Sequence, residues 1–146
     1  MDYKIRFATC DDYDLIYNLK KENLRPYVEK IWGWDENYQV KDFAKKFNYI
    51  QHFFVIEVHD KFAGFLQFHF EYPYFEVENI HLHSEYRGNG IGSDILRNFQ
   101  KVCISQKTKI RLECFKENRR AKSLYQKLGF IQTGETDTHY VLEYQN

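Results

Sequence analysis

Short apolar or alternating segments recur along the chain, and this pattern predicts β-strands. The segments contain no proline and are rich in Phe, Tyr, Ile and Val, which favour pleated surfaces. They lie at residues 3–8, 53–58, 62–70, 76–83, 109–115, 130–133 and 139–144. The last two are close enough in sequence to predict a closing hairpin.

A capping signal marks the first predicted helix. Thr9 with Asp12 three residues later resembles a capping box in which Asp replaces Glu. A helix is predicted from about Asp11 toward Leu24, and the Arg25–Pro26 step disfavours its straight continuation. Its buried side is expected to carry Leu15, Ile16 and Leu19.

Three further helices follow from apolar residues at helical spacing. One covers residues 40–48, and one carries Ile91, Ile95, Phe99 and Cys103. The last has a stripe of Ala121, Leu124, Tyr125 and Leu128, with Gly129 as its C′ residue. Helices and strands interleave, so an α/β fold with a mixed sheet is predicted, as one domain over residues 1–146.

The composition limits the kinds of partner that the protein is expected to bind. Lys plus Arg and Asp plus Glu both number 21, and this balance gives no reason to expect nucleic acid or an anionic membrane. Cys10, Cys103 and Cys114 are odd in number and widely spaced, which favours reduced thiols. The first residues show no apolar signal stretch, and no run reaches the length of a membrane helix. A cytoplasmic protein is therefore expected.

A glycine cluster lies between a predicted strand and a predicted helix. It reads Arg87-Gly88-Asn89-Gly90-Ile91-Gly92. A helix N-terminus offers unpaired N–H groups, and glycine lets the backbone approach an anion closely, so a pyrophosphate site is predicted. The alternative is a tight turn that uses glycine for geometry alone. The spacing G-x-G-x-G fits neither a P-loop nor a dinucleotide fingerprint.

Two motifs together resemble the GNAT acetyltransferase superfamily. Residues 82–92 resemble its R/Q-x-x-G-x-G/A signature, and Asn118 to Phe130 resemble its N-x-x-A-x-x-x-Y-x-x-x-G-F segment. The order of the predicted elements also agrees. The resemblance implies a three-layer sandwich in which a splayed central β-sheet is flanked by helices. It also implies acetyl-CoA as co-substrate, direct attack by an amine and no metal.

The resemblance also assigns the cofactor site. It implies backbone contacts to the thioester and pantetheine from the end of the strand, and to the pyrophosphate from the glycine loop. The residues concerned are Leu82, His83, Arg87, Gly88, Asn89, Gly90, Ile91, Gly92 and Ser93. Asn118 is implied as a side-chain contact, with a helix N-cap as its alternative.

Three residues are candidates for the chemistry. Tyr125 is implied as the acid that protonates the departing thiolate, against core packing as its alternative. Glu76 and Glu78 are hypotheses for the base, against a solvated strand face. His81 is another possible base, and His69, His81 and His83 raise the alternative of a metal site.

The acceptor pocket is expected in the aromatic segment from Arg25 to Tyr38. Tyr27, Trp32 and Trp34 beside carboxylates suit a cationic amine, although a hydrophobic cap over the sheet is also compatible. We expect a small-molecule N-acetyltransferase and consider a homodimer possible. The alternatives are a protein or peptide N-acetyltransferase and a CoA-binding module without turnover.

Overall fold

The computed structural model describes residues 1–145; Asn146, the end of the predicted domain, lies outside the described residues. Within this range seven strands and four α-helices form an α/β fold. The strands are β1 (Lys4–Phe7), β2 (Phe53–Val58), β3 (Lys61–Glu71), β4 (Tyr74–Leu82), β5 (Lys109–Phe115), β6 (Ile131–Glu135) and β7 (His139–Tyr144). The helices are α1 (Tyr13–Trp32), α2 (Glu36–Phe47), α3 (Ile91–Gln106) and α4 (Arg119–Lys127).

The strands form one mixed, open sheet in the order β1-β2-β3-β4-β5-β7-β6, flanked by helices. β4 and β5 are parallel, whereas β1–β2, β2–β3, β5–β7 and β6–β7 are antiparallel. The parallel pairing runs from Tyr74↔Lys109 to Val77↔Leu112, although β4 continues to Leu82 and β5 to Phe115. The predicted mixed, splayed sheet and the closing hairpin are thus confirmed.

The chain divides into two compact units. Unit 1 contains residues 1–67 and 79–89, and unit 2 contains residues 68–78 and the chain from residue 90 onward. Unit 1 has an aromatic core in which the rings of Phe43 and Phe47 lie 5.9 and 5.0 Å from that of Phe53. In unit 2, alternate residues of β5 are buried with residues of α3 and β7. These are Ile95, Leu96, Cys103, Ile110, Leu112, Cys114 and Leu142.

The capping signal of the first helix is confirmed. The backbone N–H of Thr9 donates to Asp12 at 2.8 Å, and the Thr9 hydroxyl accepts from the N–H of Asp11 at 3.3 Å. A 3-10 turn at Cys10–Asp12 precedes α1. The expected break at Pro26 is wrong, because α1 continues through this residue to Trp32. Proline has no N–H to donate to the carbonyl of Glu22 four residues earlier, and because Pro26 and Glu22 are both exposed, water can bond to that carbonyl instead.

Two predicted core residues lie at the surface instead. Leu15 is 48% exposed and Leu124 is 36% exposed, whereas Ile16 and Leu19 are buried as predicted. Leu15 and Ile16 are consecutive and therefore point about 100° apart on a helix. Only one of the two can face the sheet directly.

No helix of the described residues is both long and apolar enough to span a membrane.

Candidate active site

The glycine loop joins β4 to α3. After Leu82 a 3-10 turn at Ser84–Tyr86 leads to Arg87, whose backbone is extended. Gly88 and Gly90 then adopt φ of 78° and 81°, values that favour glycine. The N–H of Asp94 donates to the carbonyl of Gly90 at 2.9 Å and begins the hydrogen bonding of α3.

The backbone at this helix start fits a diphosphate. α3 is 16 residues long, and Gly90 supplies no side-chain cap to its first turn. The N–H groups of the first turn have no carbonyl partner within the helix, and the helix dipole favours negative charge there. A β-carbon added at Gly88 or Gly90 would meet nothing within 4 Å. The loop therefore combines open space with backbone donors.

The part of the loop in unit 1 is held by side chains. Nε of Arg87 donates to the carbonyl of Leu82 at 3.1 Å, and its Nη2 donates to Oδ1 of Asn23 at 2.6 Å. The N–H of His83 donates to the carbonyl of Ala63 at 2.9 Å, which ties the end of β4 to β3. Asn23 lies 64 residues from Arg87, and the sequence alone gave no signal for this contact.

Asn118 caps α4 in unit 2. Its Oδ1 accepts from the N–H of Ala121 at 3.1 Å, so the N-cap geometry considered from the sequence is present. The cap uses only the carbonyl oxygen of the amide. The N–H groups of the same side chain are the wrong polarity for this bond and suit an acceptor on a ligand. The predicted cofactor contact of Asn118 stays a prediction compatible with the cap.

Tyr125 lies on α4 and is partly buried. Its ring lies 5.9 Å from that of Phe130, and burial raises the pKa of its hydroxyl to about 12, with a smaller contribution from Cys114. The phenol therefore carries its proton at neutral pH. This state is the one that a proton donor requires.

The two carboxylates proposed as bases differ in their surroundings. Glu76 forms an ion pair with Nη2 of Arg111, and its side chain is only 18% exposed. Oε1 of Glu78 lies 3.0 Å from Nδ1 of His69, and its side chain is 37% exposed. The guanidinium of Arg111 therefore already occupies the Glu76 carboxylate, whereas the partner of Glu78 is a histidine ring.

The aromatic residues expected around the acceptor have distinct surroundings in unit 1. Tyr27 and Trp32 lie in the last turns of α1, partly buried and 62% exposed respectively. Trp34 is different, because Lys21 Nζ and the Arg25 guanidinium lie 5.9 and 5.7 Å from its ring. A cationic ligand would have to compete with these two side chains for the Trp34 ring.

Trp34 also takes part in a polar cluster around Glu36. The carboxylate of Glu36 accepts from Trp34 Nε1 at 2.7 Å, from Lys21 Nζ at 3.0 Å and from the Tyr17 hydroxyl at 3.1 Å. These bonds lower the pKa of Glu36, that from Trp34 most, and the cluster joins α1 to α2. The contacts of Trp34 are therefore those of a structural residue.

An open pocket of about 490 Å³ lies along α1. Side chains of both charge signs line it: Asn18, Lys21, Glu22, Arg25, Pro26 and Glu29. Glu22 and Glu29 are the carboxylates of this lining, and Oε2 of Glu29 accepts from Nε of Arg25 at 3.3 Å.

The histidines do not form a metal site in the described part of the chain, where no group of three or more His, Cys, Asp or Glu residues is suitably placed. Both ring nitrogens of His81 face amides, with Asn79 Oδ1 at 2.9 Å and Asn23 Nδ2 at 3.2 Å. Burial lowers the pKa of His81 to about 3, and the cations of Lys20 and Arg87 contribute. A group with so low a pKa is a weak base.

Comparison with known proteins identifies similarity to acetyltransferases. The model of the acetyltransferase (GNAT) family matches residues 13–130. Thialysine N-epsilon-acetyltransferase of Bos taurus is 30% identical over 89 residues, a match to 57% of this chain and about half, 52%, of that enzyme.

Solved structures show the same fold. The PaiA N-acetyltransferase of Thermoplasma acidophilum, in complex with coenzyme A, superposes with a TM-score of 0.78 at 19% identity, over 100% of both chains. Spermidine N-acetyltransferase of Vibrio cholerae, in complex with CoA and spermine, gives 0.70 at 18% identity. That superposition covers 98% of this chain and 95% of the other.

Proposed function

Because this chain belongs to the acetyltransferase (GNAT) family, we propose that it is an N-acetyltransferase that transfers the acetyl group of acetyl-CoA to a small primary amine. The observation that carries the proposal is the glycine loop at the start of α3. Gly88 and Gly90 have positive φ there, ahead of a 16-residue helix. Acetyl-CoA supplies the acetyl group already activated as a thioester.

Backbone groups of the loop would hold the diphosphate of acetyl-CoA. The residues proposed are Arg87, Gly88, Asn89, Gly90, Ile91, Gly92 and Ser93, with Leu82 and His83 for the pantetheine arm and Asn118 through its amide. Backbone N–H donors are fixed before the ligand arrives, so little ordering is required when it binds. The N–H of Leu82 is proposed to polarise the thioester carbonyl.

Two side chains are proposed to move protons. Tyr125 gives its hydroxyl proton to the departing sulfur, in keeping with a pKa of about 12. Glu78 accepts a proton from the amine, since an alkylammonium must lose one before it attacks. Glu78 lies four residues before Leu82 on β4, and Glu76 lies six residues before it. The ion pair of Glu76 with Arg111 suits a structural role instead.

A small amine is proposed as the acceptor. The similarity to a thialysine N-epsilon-acetyltransferase in sequence and to a spermidine N-acetyltransferase in structure supports a small amine as the acceptor of this chain. In unit 1, Glu22 and Glu29 line the pocket along α1 and are proposed to attract the ammonium group. Tyr27 and Trp32, which lie on the same helix, are proposed to contact the acceptor. A cytoplasmic location is also proposed, because the described cysteines are all unbridged.

Thermal unfolding with and without acetyl-CoA tests the cofactor, and amine-dependent release of free CoA tests the reaction. Acetyl-CoA at about 100 times its Kd is expected to raise the Tm by roughly 5–10 °C. Small polyamines and lysine analogues are expected to release CoA faster than peptides do. An unchanged Tm at millimolar acetyl-CoA would exclude the site. A shift without release by any amine would support a binding module instead.

A further inference from the structure

Five polar side chains in unit 1 form a continuous hydrogen-bonded chain. Arg87 Nη2 donates to Asn23 Oδ1 at 2.6 Å, and Asn23 Nδ2 lies 3.2 Å from His81 Nδ1. His81 Nε2 lies 2.9 Å from Asn79 Oδ1, and Asn79 Nδ2 donates to Gln67 Oε1 at 2.8 Å. Gln67 is buried on β3, whereas Arg87 is exposed in the glycine loop. The chain of bonds thus connects the sheet to the loop.

The direction of every bond follows from Arg87. A guanidinium has only donors, so Asn23 must turn its Oδ1 toward Arg87 and its Nδ2 toward His81. Nδ1 of His81 must then accept, which leaves Nε2 as the protonated nitrogen of a neutral ring. Asn79 must therefore present Oδ1 to His81 and Nδ2 to Gln67. Arg87, one charged residue in the loop, thus sets the donor and acceptor direction of every hydrogen bond in this network.

Asn23 has a second contact at the same place. Its Nδ2 lies 3.4 Å from the carbonyl oxygen of Leu82, which also accepts from Nε of Arg87 at 3.1 Å. Asn23 and Arg87 thus bind each other and share one carbonyl at the end of β4. Removal of the Asn23 amide would leave Arg87 with a single partner in this cluster and would break the link to His81.

We propose that Asn23 is a positioning residue for the cofactor-binding loop, which it orders by holding Arg87 and the Leu82 carbonyl against a neutral His81. The inference rests on the proposed function, because that function assigns acetyl-CoA to this loop. Asn23 does not touch the reacting atoms in this proposal. It acts through Arg87 and through the backbone at Leu82.

The surroundings of His81 favour the neutral ring. From α1 it faces Lys20 and Asn23, from the loop Arg87, and from β3 the ring of Phe65 at 5.2 Å. On β4 its hydrogen-bond partner is Asn79, while Glu22 lies 3.9 Å from the neighbouring His83. Burial and the two cations lower the pKa of His81. His81 is thus a link in the network, and the earlier hypotheses of a base or a metal ligand are replaced.

Nitrogen-15 NMR of histidine side chains tests the network without any ligand. His81 in the unmodified protein is expected as the Nε2–H tautomer, with no titration between about pH 5 and 8. In Asn23→Asp, both side-chain oxygens accept, so Nδ1 of His81 must be protonated to bond with it. His81 should then titrate within this range. Titration near pH 6.5 in the unmodified protein, or an Nδ1–H tautomer, would overturn the proposal.

Steady-state kinetics and calorimetric binding of CoA test the effect on the loop. Asn23→Ala is expected to raise the KM for acetyl-CoA about 10-fold and to change kcat far less, as for a lost binding interaction. Asn23→Asp should restore most of the affinity, because it still accepts from Arg87. Asn98→Ala, at an exposed position of α3, is the control and should match the unmodified protein.

The outcomes separate the two proposals. If the unmodified protein binds CoA and Asn23→Ala binds it equally well, the positioning role is wrong and the proposed function stands. If the unmodified protein does not bind CoA, the proposed function fails. The tautomer of His81 would then still decide whether the hydrogen-bonded network exists.

Discussion

Gly64 on β3 lies directly against the backbone of His81 on β4. A β-carbon at Gly64 would lie 3.0 Å from Cα of Leu82 and would collide with the carbonyl oxygen of His81. The atoms involved are backbone atoms of a strand, which cannot swing aside as a side chain does. This close approach brings β3 against the part of β4 from which the glycine loop departs.

Gly64→Ala is therefore expected to lower the free energy of unfolding by at least about 2 kcal/mol, because the strands must separate to admit the methyl group. Gly134→Ala is the matched control. Its β-carbon would meet only Val141 at 3.8 Å, an ordinary contact. Urea unfolding of the two variants measures the difference. Equal stability of the two would show that β3 and β4 are not packed this closely.

Asp12 is expected to make the stability of the protein depend on pH in the acidic range. It is buried, and its carboxylate accepts from Arg6 at 2.8 and 2.9 Å and from the N–H of Thr9 at 2.8 Å. Arg6 is the main cause that holds the pKa of Asp12 below its usual value, against the effect of burial. The ionised Asp12 therefore makes its full contribution to the free energy of unfolding above about pH 4. This contribution is lost as the pH falls through the pKa of Asp12 in the folded protein.

Asp12→Asn should lower the free energy of unfolding by about 1–2 kcal/mol at pH 7, since a charge-assisted pair and a helix cap are weakened. The gap to the unmodified protein should narrow below about pH 4. Asp60→Asn is the control, because the Lys4–Asp60 pair is 3.6 Å apart and largely exposed. A constant gap from pH 7 to about pH 2 would contradict the assignment.

Tyr125→Phe is expected to lower kcat by roughly 10²-fold or more and to leave CoA affinity nearly unchanged, because only the proton donor is removed. Tyr144→Phe is a close control, since the two tyrosine rings lie 5.9 and 5.8 Å from Phe130. Stopped-flow detection of CoA release distinguishes the two. Full activity of Tyr125→Phe would remove Tyr125 from the mechanism.

The two carboxylates of β4 should respond differently to the same substitution. Glu78→Gln should lower kcat/KM for the amine by about 10²-fold, with the deficit smaller at high pH where more amine is already deprotonated. Glu76→Gln should mainly lower stability, because it breaks the pair with Arg111. pH profiles and urea unfolding of both variants check this. A larger kinetic effect at Glu76 would reverse the assignment.

Much of the fold was predictable because it depends on local pattern. The strands 53–58 and 109–115 have the predicted ends, and the Thr9 cap and the positive φ of Gly129 agree with the sequence. The matched family model confirms the resemblance drawn from the two motifs. Pro26 shows the limit of such rules, since its cost inside a helix depends on whether water reaches the freed carbonyl.

The site was predictable only in part. The positions of the glycine loop, Asn118 and Tyr125 follow from motifs that are contiguous in sequence. The partners that decide how other side chains behave are distant, as Arg111 is from Glu76 and Asn23 from Arg87. The aromatic chemistry of Trp34 was clear from the sequence, but the presence of Lys21 and Arg25 beside its ring was not.

By itself the sequence determined the order of the elements, the glycine loop before α3 and the family of the chain. These features depend on residue types at fixed short spacings, and such spacings are present in the sequence before the chain folds. Only the tertiary structure decided which carboxylate carries an arginine, that His81 faces two amides, and that Gly64 must lack a side chain. Protonation and close packing depend on neighbours brought together by folding, and no short segment of sequence contains them.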